Sequence, residues 1–147
     1  MNTAARLPYH QLAPEAFRAL LGVGKALAAS TIEKKLIDLV SLRISQINGC
    51  AYCVNTHAND LLAQNESMQR MNRLVTWRED SLFSARERAA LIWAESLTLV
   101  KDTRAPDADY DELLAHFSEK EVAELTISIA QMNAWNRIGV GMRVPAA

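Results

Sequence analysis

The segment NGCAYCVNTH, residues 48–57, contains both cysteines of the chain in a Cys-x-x-Cys pattern, with His57 four residues after the second. The Asn-Gly pair at its start favours a turn, and apolar residues continue beyond it at helical spacing. The pattern predicts a helix from about Cys50 to Leu62 whose first turn carries the cysteines. On such a helix Cys50, Cys53 and His57 share one narrow face. Cys53 and His57 are then close enough for side-chain contact.

This arrangement is typical of a redox-active dithiol. The thiolate is the reactive form of cysteine, and both the unpaired N–H groups at a helix N-terminus and a neighbouring imidazole stabilise it. A second thiol three residues away can convert a sulfenic acid into a disulfide before further oxidation. The alternatives are inert buried cysteines, a structural disulfide and a zinc site. Zinc is less favoured because structural zinc sites usually use a second Cys/His pair, and only His10 and His116 remain.

The composition excludes several classes of protein. The 147 residues are half hydrophobic and predict one domain over residues 1–147. The net charge of −1, from 16 basic and 17 acidic residues, gives no reason to expect a nucleic-acid partner. No apolar run is long enough to cross a membrane, and the N-terminus does not resemble a signal segment. These features predict a cytoplasmic protein, and in that reducing compartment a Cys-x-x-Cys pair is more often catalytic or metal-binding than structural.

Helical periodicity recurs along the chain, and no segment alternates convincingly with period two, which predicts an all-α fold. Residues 1–12 lack periodicity and are predicted to form an N-terminal arm. Capping boxes that open a helix are predicted at three segments, STIE (30–33), SARE (84–87) and SEKE (118–121). A loop is predicted at residues 77–80.

The last helix has apolar residues around much of its circumference. One neighbouring helix would not cover all of them, so this pattern and the arm favour burial in a homo-oligomer. Gly139 and Gly141 are predicted to loosen the end of the helix. Trp93 and Trp135 are predicted to lie in the core or at a subunit interface, and Glu95, beside Trp93, is predicted to form an ion pair.

The cysteine segment resembles the alkylhydroperoxidase D (AhpD) / carboxymuconolactone decarboxylase family. The resemblance is carried by residues 45–53 with His57, and it extends to residues 36–43, 87–91 and 133–140. It implies an all-helical, AhpD-like bundle with the Cys-x-x-Cys at the N-terminus of a central helix, assembled as trimers or hexamers. The cysteine-containing branch of the family reduces organic peroxides with two thiols and a proton relay of histidine and glutamate. The decarboxylase branch acts on a lactone ring without this cysteine pair.

By this resemblance, Cys53 is the peroxide-attacking thiolate, His57 helps to deprotonate it, and Cys50 is the resolving thiol and the point of exchange with a reductant. The spacing alone leaves the order of the cysteines open, because Cys50 lies nearer the helix terminus. The relay glutamate of the family falls at Asp38, whose side chain is one methylene shorter. Either a water spans that gap or the relay is weaker. Arg43, on the same helix, is expected to pair with Asp38 and to lower its basicity.

The sequence therefore predicts a thiol-dependent peroxidase in antioxidant defence, with catalytic residues Cys50, Cys53, His57 and Asp38 and no need for a metal or an organic cofactor. The expected partners are a small hydroperoxide, a dithiol reductant such as a lipoyl protein or thioredoxin, and further copies of the chain. The alternative is a redox-sensing or thiol–disulfide exchange protein with little peroxidase turnover.

Overall fold

The apolar periodicity of the sequence is satisfied by packed α-helices in the computed structural model, which describes residues 4–146. No strand occurs among these described residues, and the all-α prediction is confirmed. In chain order the helices are α1 (Tyr9–Leu12), α2 (Pro14–Leu27), α3 (Lys34–Asn48), α4 (Ala51–Ala63), α5 (Met68–Arg73), α6 (Ala85–Thr98), α7 (Val100–Thr103), α8 (Asp107–Leu114) and α9 (Glu119–Met142), with a 3₁₀ helix at Leu74–Glu79.

Helix α3 is the buried centre of the bundle and packs against α4, α6 and α9. Its core side chains include Leu39, Val40 and Ile44, none of them more than 2% exposed. The helix ends at Gly49, whose φ of 68° is the left-handed conformation that glycine adopts without a steric penalty. The chain reverses there, and α4 begins two residues later against α3. The predicted turn at residues 48–49 and the predicted helix after it are both observed.

Two of the three predicted capping boxes are present. Ser84 and Glu87 cap α6 reciprocally, and Ser118 and Glu121 cap α9 in the same way. The prediction at residues 30–33 is wrong, because α3 begins at Lys34 without a side-chain cap. The hydroxyl of Ser30 instead donates a hydrogen bond to Glu124 of α9, at 2.6 Å. A tertiary partner outweighs the local motif at this position.

The predicted loop at residues 77–80 is largely helical, because Leu74–Glu79 form a 3₁₀ helix. Trp77 is 2% exposed, and its indole N–H donates to Glu95 at 2.9 Å. Burial of this large side chain fixes the segment, which local sequence patterns do not reveal. The loosening predicted at Gly139 and Gly141 is also wrong, since α9 continues through both glycines to Met142.

Part of the N-terminal segment that is predicted to form an arm is helical. Residues 9–12 form α1, and Arg6 donates hydrogen bonds from its backbone N–H and its guanidinium to Met142 and Gly141. Residues 1–3 of the predicted arm lie outside the described residues. Pro14 occupies the first turn of α2 as predicted. That residues 1–147 form one domain, and that copies of the chain associate, stay predictions.

Within residues 4–146, the longest and most apolar helices still fall short of what a membrane-spanning segment requires. The cytoplasmic location stays a prediction.

Candidate active site

The two cysteines lie at the start of α4 and are joined by a disulfide bond. Cys50 is the N-cap residue of the helix, and its sulfur accepts a hydrogen bond from the backbone N–H of Cys53 at 3.3 Å. Both side chains are buried, Cys50 to 1% and Cys53 to 4% exposure. The Cys-x-x-Cys spacing thus brings both sulfurs together beside free N–H groups of a helix N-terminus, as the sequence predicts.

Helix α9 packs directly against this disulfide at Gly139. A Cβ atom at that position would lie 2.8 Å from the sulfur of Cys50 and 3.4 Å from that of Cys53. The first distance is too short for any side chain, so only glycine allows this approach of α9 to the sulfurs. Sequence reasoning missed this role, because a glycine in the last turns of a helix suggests loosening rather than contact.

A buried amide network fixes the turn before the cysteines. The side-chain amide of Asn48 donates to Asn133 and Asn136 of α9, at 2.9 Å in both cases. Asn136 donates in turn to Ser45 at 3.1 Å, and Asn133 donates to Thr98 at 3.1 Å. Buried polar groups favour a single arrangement when their partners are present. The network therefore holds the start of α4 in place relative to α3, α6 and α9.

Asp38 and His57, which the family resemblance implies as members of one proton relay, are brought together from α3 and α4. Oδ1 of Asp38 lies 3.4 Å from Nδ1 of His57, a contact longer than a well-formed hydrogen bond. Oδ2 of Asp38 accepts from Lys34 at 2.5 Å and from Gln64 at 2.6 Å. The shorter side chain of aspartate therefore approaches the histidine without forming a hydrogen bond, and Nδ1 of His57 has no hydrogen-bond partner among the described residues.

The surroundings of Asp38 favour its ionised form. Burial alone would raise the pKa of this carboxyl, but the polar contacts from His57, Lys34 and Gln64 outweigh burial and lower its pKa below the ordinary value. Asp38 is thus a carboxylate at neutral pH. The expected pairing of Arg43 with Asp38 is wrong, since Arg43 lies 2.7 Å from Glu95 on α6. The predicted ion pair of Glu95 is confirmed by the same contact.

The second nitrogen of His57 faces a sulfur atom. Nε2 lies 3.2 Å from Sδ of Met132 on α9, a residue that is 7% exposed. No sequence pattern signals this contact, because a methionine on an apolar helix face is typical of any core. The imidazole is thus placed between a carboxylate and a thioether.

One group of described residues brings metal-ligating atoms close together, namely Asp38, His57 and Asp60, whose ligand atoms lie within 4.8 Å of one another. Lys34 and Gln64 already occupy one oxygen of Asp38. The disulfide also keeps both cysteine sulfurs from acting as thiolate ligands. The donor set of this structure therefore does not favour a zinc site.

A cavity of about 660 Å³ opens beside Cys53. Cys53, His57 and Asp38 line it together with Met132, and most of its remaining surface is apolar. Aromatic side chains form part of the wall, with Phe17 of α2 packed edge-on against Trp135 of α9 and against Tyr9 of α1. Trp93, by contrast, is a core residue whose indole N–H donates to Thr126.

The chain is similar to known proteins of one family. The family model described as carboxymuconolactone decarboxylase family matches residues 14–96. The uncharacterized protein YdfG of Bacillus subtilis is 35% identical over 142 residues, 97% of each chain. Alkyl hydroperoxide reductase AhpD of Coxiella burnetii is 39% identical over a short stretch of 44 residues, 30% of this chain and 25% of that protein.

Solved structures agree with the assignment. A crystal structure from Agrobacterium tumefaciens, of a protein of unknown function suggested to be the antioxidant defence protein AhpD, has a TM-score of 0.94 and 38% identity, and the match covers 98% of this chain and 99% of that one. The debrominase Bmp8 shares the fold at a TM-score of 0.78 and 20% identity, over 93% of this chain and 73% of that one. The match over residues 14–96 and the full-length relatives show that the chain belongs to the carboxymuconolactone decarboxylase family, in its AhpD-like, cysteine-containing branch.

Proposed function

We propose that the protein is a thiol-dependent peroxidase that reduces organic hydroperoxides through a dithiol–disulfide cycle of Cys50 and Cys53, in antioxidant defence. The observation that carries the proposal is the meeting of Cys53, His57 and Asp38 on the wall of one largely apolar cavity, with a second cysteine already in disulfide contact. An apolar cavity with a few converging polar groups is the usual form of a small-molecule site.

Access to the cavity favours Cys53 as the attacking thiol. Cys53 lines the cavity, whereas Cys50 is 1% exposed and lies under Gly139 of α9. His57 follows Cys53 by one helical turn, within reach of its side chain. Cys50, at the N-cap, is suited to the resolving step because the N–H group that bonds its sulfur also stabilises its thiolate.

Asp38 acts in this proposal as a fixed charge. Its lowered pKa makes it a weak base, so it does not store a proton at neutral pH. A carboxylate beside Nδ1 favours the tautomer that carries its proton there, which leaves Nε2 able to accept the thiol proton of Cys53. The imidazolium that results is stabilised by the same carboxylate.

The reaction balances without a metal or an organic cofactor. The Cys53 thiolate attacks the terminal oxygen of the hydroperoxide, the O–O bond breaks, and the alcohol leaves after taking a proton from the imidazolium. Cys53 is then a sulfenic acid, which the Cys50 thiol attacks to form the disulfide and release water. An external dithiol returns two electrons and two protons to the pair.

The burial of both sulfurs limits the size of the reductant that can reach the disulfide. Because the two cysteines are only 1% and 4% exposed, we expect a narrow dithiol such as a lipoyl arm, entering through the cavity that Cys53 lines, to reach the disulfide more readily than a folded protein does. We therefore propose Cys53, rather than Cys50, as the first point of exchange. A thioredoxin would first require the cavity wall to open.

The test is stopped-flow oxidation of the reduced protein by cumene hydroperoxide, with thiol titration before and after. We expect two thiols to be lost per peroxide consumed. Cys53→Ser should lower the rate by about a thousandfold or more, because no other group replaces the nucleophile. Cys50→Ser, the matched control, should still consume one peroxide and stop at the sulfenic acid.

Other outcomes favour other functions. Peroxide-independent exchange with a disulfide such as oxidised lipoamide, at a rate far above that with the peroxide, would support the sensor or exchange alternative. Unchanged peroxide reactivity in Cys53→Ser would refute the proposed role of Cys53.

A further inference from the structure

Among the methionines that the structure describes, Met132 is the one that lines the cavity. Its thioether sulfur lies 3.2 Å from Nε2 of His57. In this structure both cysteine sulfurs are tied in the disulfide. The sulfur of Met132 is then the remaining electron-rich sulfur on the cavity wall. Neither the resemblance nor the similar proteins assigns it a role.

We propose that Met132 is a peroxide modification site: while the cysteines are bridged, a hydroperoxide in the cavity oxidises Met132 to methionine sulfoxide. This inference rests on the proposed function for the identity of the oxidant. It concerns a different sulfur and a different redox state of the protein, so the two can be tested separately.

The oxygen transfer requires only the hydroperoxide, the sulfur of Met132 and the imidazole of His57, and the last two are already in contact. Sδ of Met132 attacks the terminal oxygen of the hydroperoxide, and the S–O bond forms as the O–O bond breaks. His57 in its imidazolium form donates the Nε2 proton to the departing alkoxide and takes back the proton of the new S–OH group. The sulfur loses two electrons, the peroxide becomes an alcohol, and the histidine ends in its starting state.

The product changes the same nitrogen that the peroxidase cycle needs. A sulfoxide oxygen is a much stronger hydrogen-bond acceptor than a thioether, and it would form beside Nε2. A sulfoxide oxygen only accepts, so it favours the form of His57 that carries a proton on Nε2, and that nitrogen is then no longer free to accept the proton of Cys53. Oxidation of Met132 therefore lowers thiol reactivity under excess peroxide, and methionine sulfoxide reductase restores it.

Two other methionines serve as internal controls. Met71 on α5 is as buried as Met132, at 6% against 7% exposure, but it does not line the cavity. Met68 is 56% exposed at the surface. Oxidation governed by exposure alone would affect Met68 first and leave Met71 and Met132 equal. Oxidation by a hydroperoxide inside the cavity would instead make Met132 react faster than Met71.

The experiment treats the fully bridged wild-type protein with cumene hydroperoxide and measures the sulfoxide at each methionine over time by peptide mass spectrometry. We expect Met132 to be oxidised about tenfold faster than Met71 or more, because bound oxidant and a proton donor both act there. The Met132 rate should saturate with peroxide concentration, while the Met68 rate should rise linearly. Equal rates at Met132 and Met71 would overturn the proposal, and this measurement needs no variant.

A second measurement follows the consequence for the thiols. After peroxide treatment and reduction of the disulfide, the wild type should react severalfold more slowly with fresh peroxide than before treatment. Met132→Leu, a change that conserves volume, should keep its own starting rate, while Met71→Leu should lose reactivity as the wild type does. Equal loss in Met132→Leu would overturn the proposed effect on His57.

The two proposals fail in distinguishable ways. Rapid thiol oxidation in the reduced protein, with no preference for Met132 in the bridged protein, would refute this inference alone. Selective Met132 oxidation without thiol oxidation would refute the peroxidase function alone. If neither sulfur reacts, both proposals are wrong.

Discussion

The cavity has a disulfide wall, formed by α3, α4 and α9 around Cys53, and an α1–α2 wall, formed by Tyr9, Phe17 and Leu21. The disulfide wall is built from buried residues. Gly139 lets α9 approach the sulfurs closely, and the amide of Asn48 is bonded to two asparagines of the same helix. Each of these contacts joins different helices, so the cysteines and the start of α4 are held in one arrangement.

The α1–α2 wall is attached much more lightly. Neither helix contains a buried residue. The wall is held by ring contacts of Phe17 with Tyr9 and Trp135, and by a hydrogen bond from Gln131 to the carbonyl oxygen of Leu20. Elements with few buried apolar contacts open at low free energy.

The difference shows a division of roles around one cavity. The proposed proton transfer between a thiol and an imidazole needs fixed geometry, which the disulfide wall provides. In the proposed reaction, local opening of the α1–α2 wall would ease the entry of the hydroperoxide and would be required for a larger reductant. Three pairs of variants test this comparison.

The largest effect is expected for His57→Asn, which removes the proposed proton acceptor from the disulfide wall. The rate of thiol oxidation by cumene hydroperoxide should fall by about a hundredfold or more, the range typical of a lost general base. The control is His116→Asn, because His116 is a half-buried residue that contacts Glu112 and does not line the cavity. A similar loss in both variants would contradict a specific role for His57.

A smaller effect is expected for Gly139→Ala in the bridged protein. The new Cβ would clash with the sulfur of Cys50, and the resulting shift should lower the free energy of unfolding by about 1–3 kcal/mol. Gly141→Ala on the same helix has no neighbour within 4 Å of the new atom, so it should be neutral or stabilise by up to about 1 kcal/mol. Urea denaturation compares the two. Equal stability of both variants would mean that α9 is free to move away from the disulfide.

The smallest effect on stability is expected for Phe17→Ala in the α1–α2 wall. Because α2 contains no buried residue, loss of these ring contacts should lower the free energy of unfolding by about 1 kcal/mol in all. The half-saturating concentration of cumene hydroperoxide should rise by about threefold as apolar contact is lost. Phe83→Ala makes the same change at a core residue that is 3% exposed, and should cost about 3–5 kcal/mol. If Phe17→Ala lowered the free energy of unfolding as much as Phe83→Ala does, α2 would be part of the core. The contrast between the two walls would then be wrong.

Local patterns predicted much of the fold and part of the site. The turn at Gly49, the proline at the start of α2 and the capping boxes of α6 and α9 depend on neighbours within a few residues, so the sequence reveals them. The placement of Cys53 and His57 on one helix face has the same origin. Asp38 was identified by resemblance, and its contact with His57 required the packing of α3 on α4.

The errors share one cause, since each involves a partner far away in the chain. Ser30 bonds Glu124 instead of capping α3, and Arg43 pairs with Glu95 instead of with Asp38 on its own helix. Gly139 is a close contact with the disulfide rather than a flexible position. A side chain with several accessible partners bonds the one that the packing of distant helices supplies, and periodicity contains no information about that choice.

The sequence by itself determined the all-α class, the disulfide-capable cysteine pair and the histidine that follows it, because helical spacing and a three-residue separation are local geometry. Only the tertiary structure decided which cysteine lines the cavity, that a thioether occupies the far side of His57, and that one wall is packed while the other is lightly attached. The contact of His57 with Met132 joins α4 to α9, and the two residues lie more than seventy positions apart along the chain. Burial, unlike spacing, is a property of the whole packed molecule.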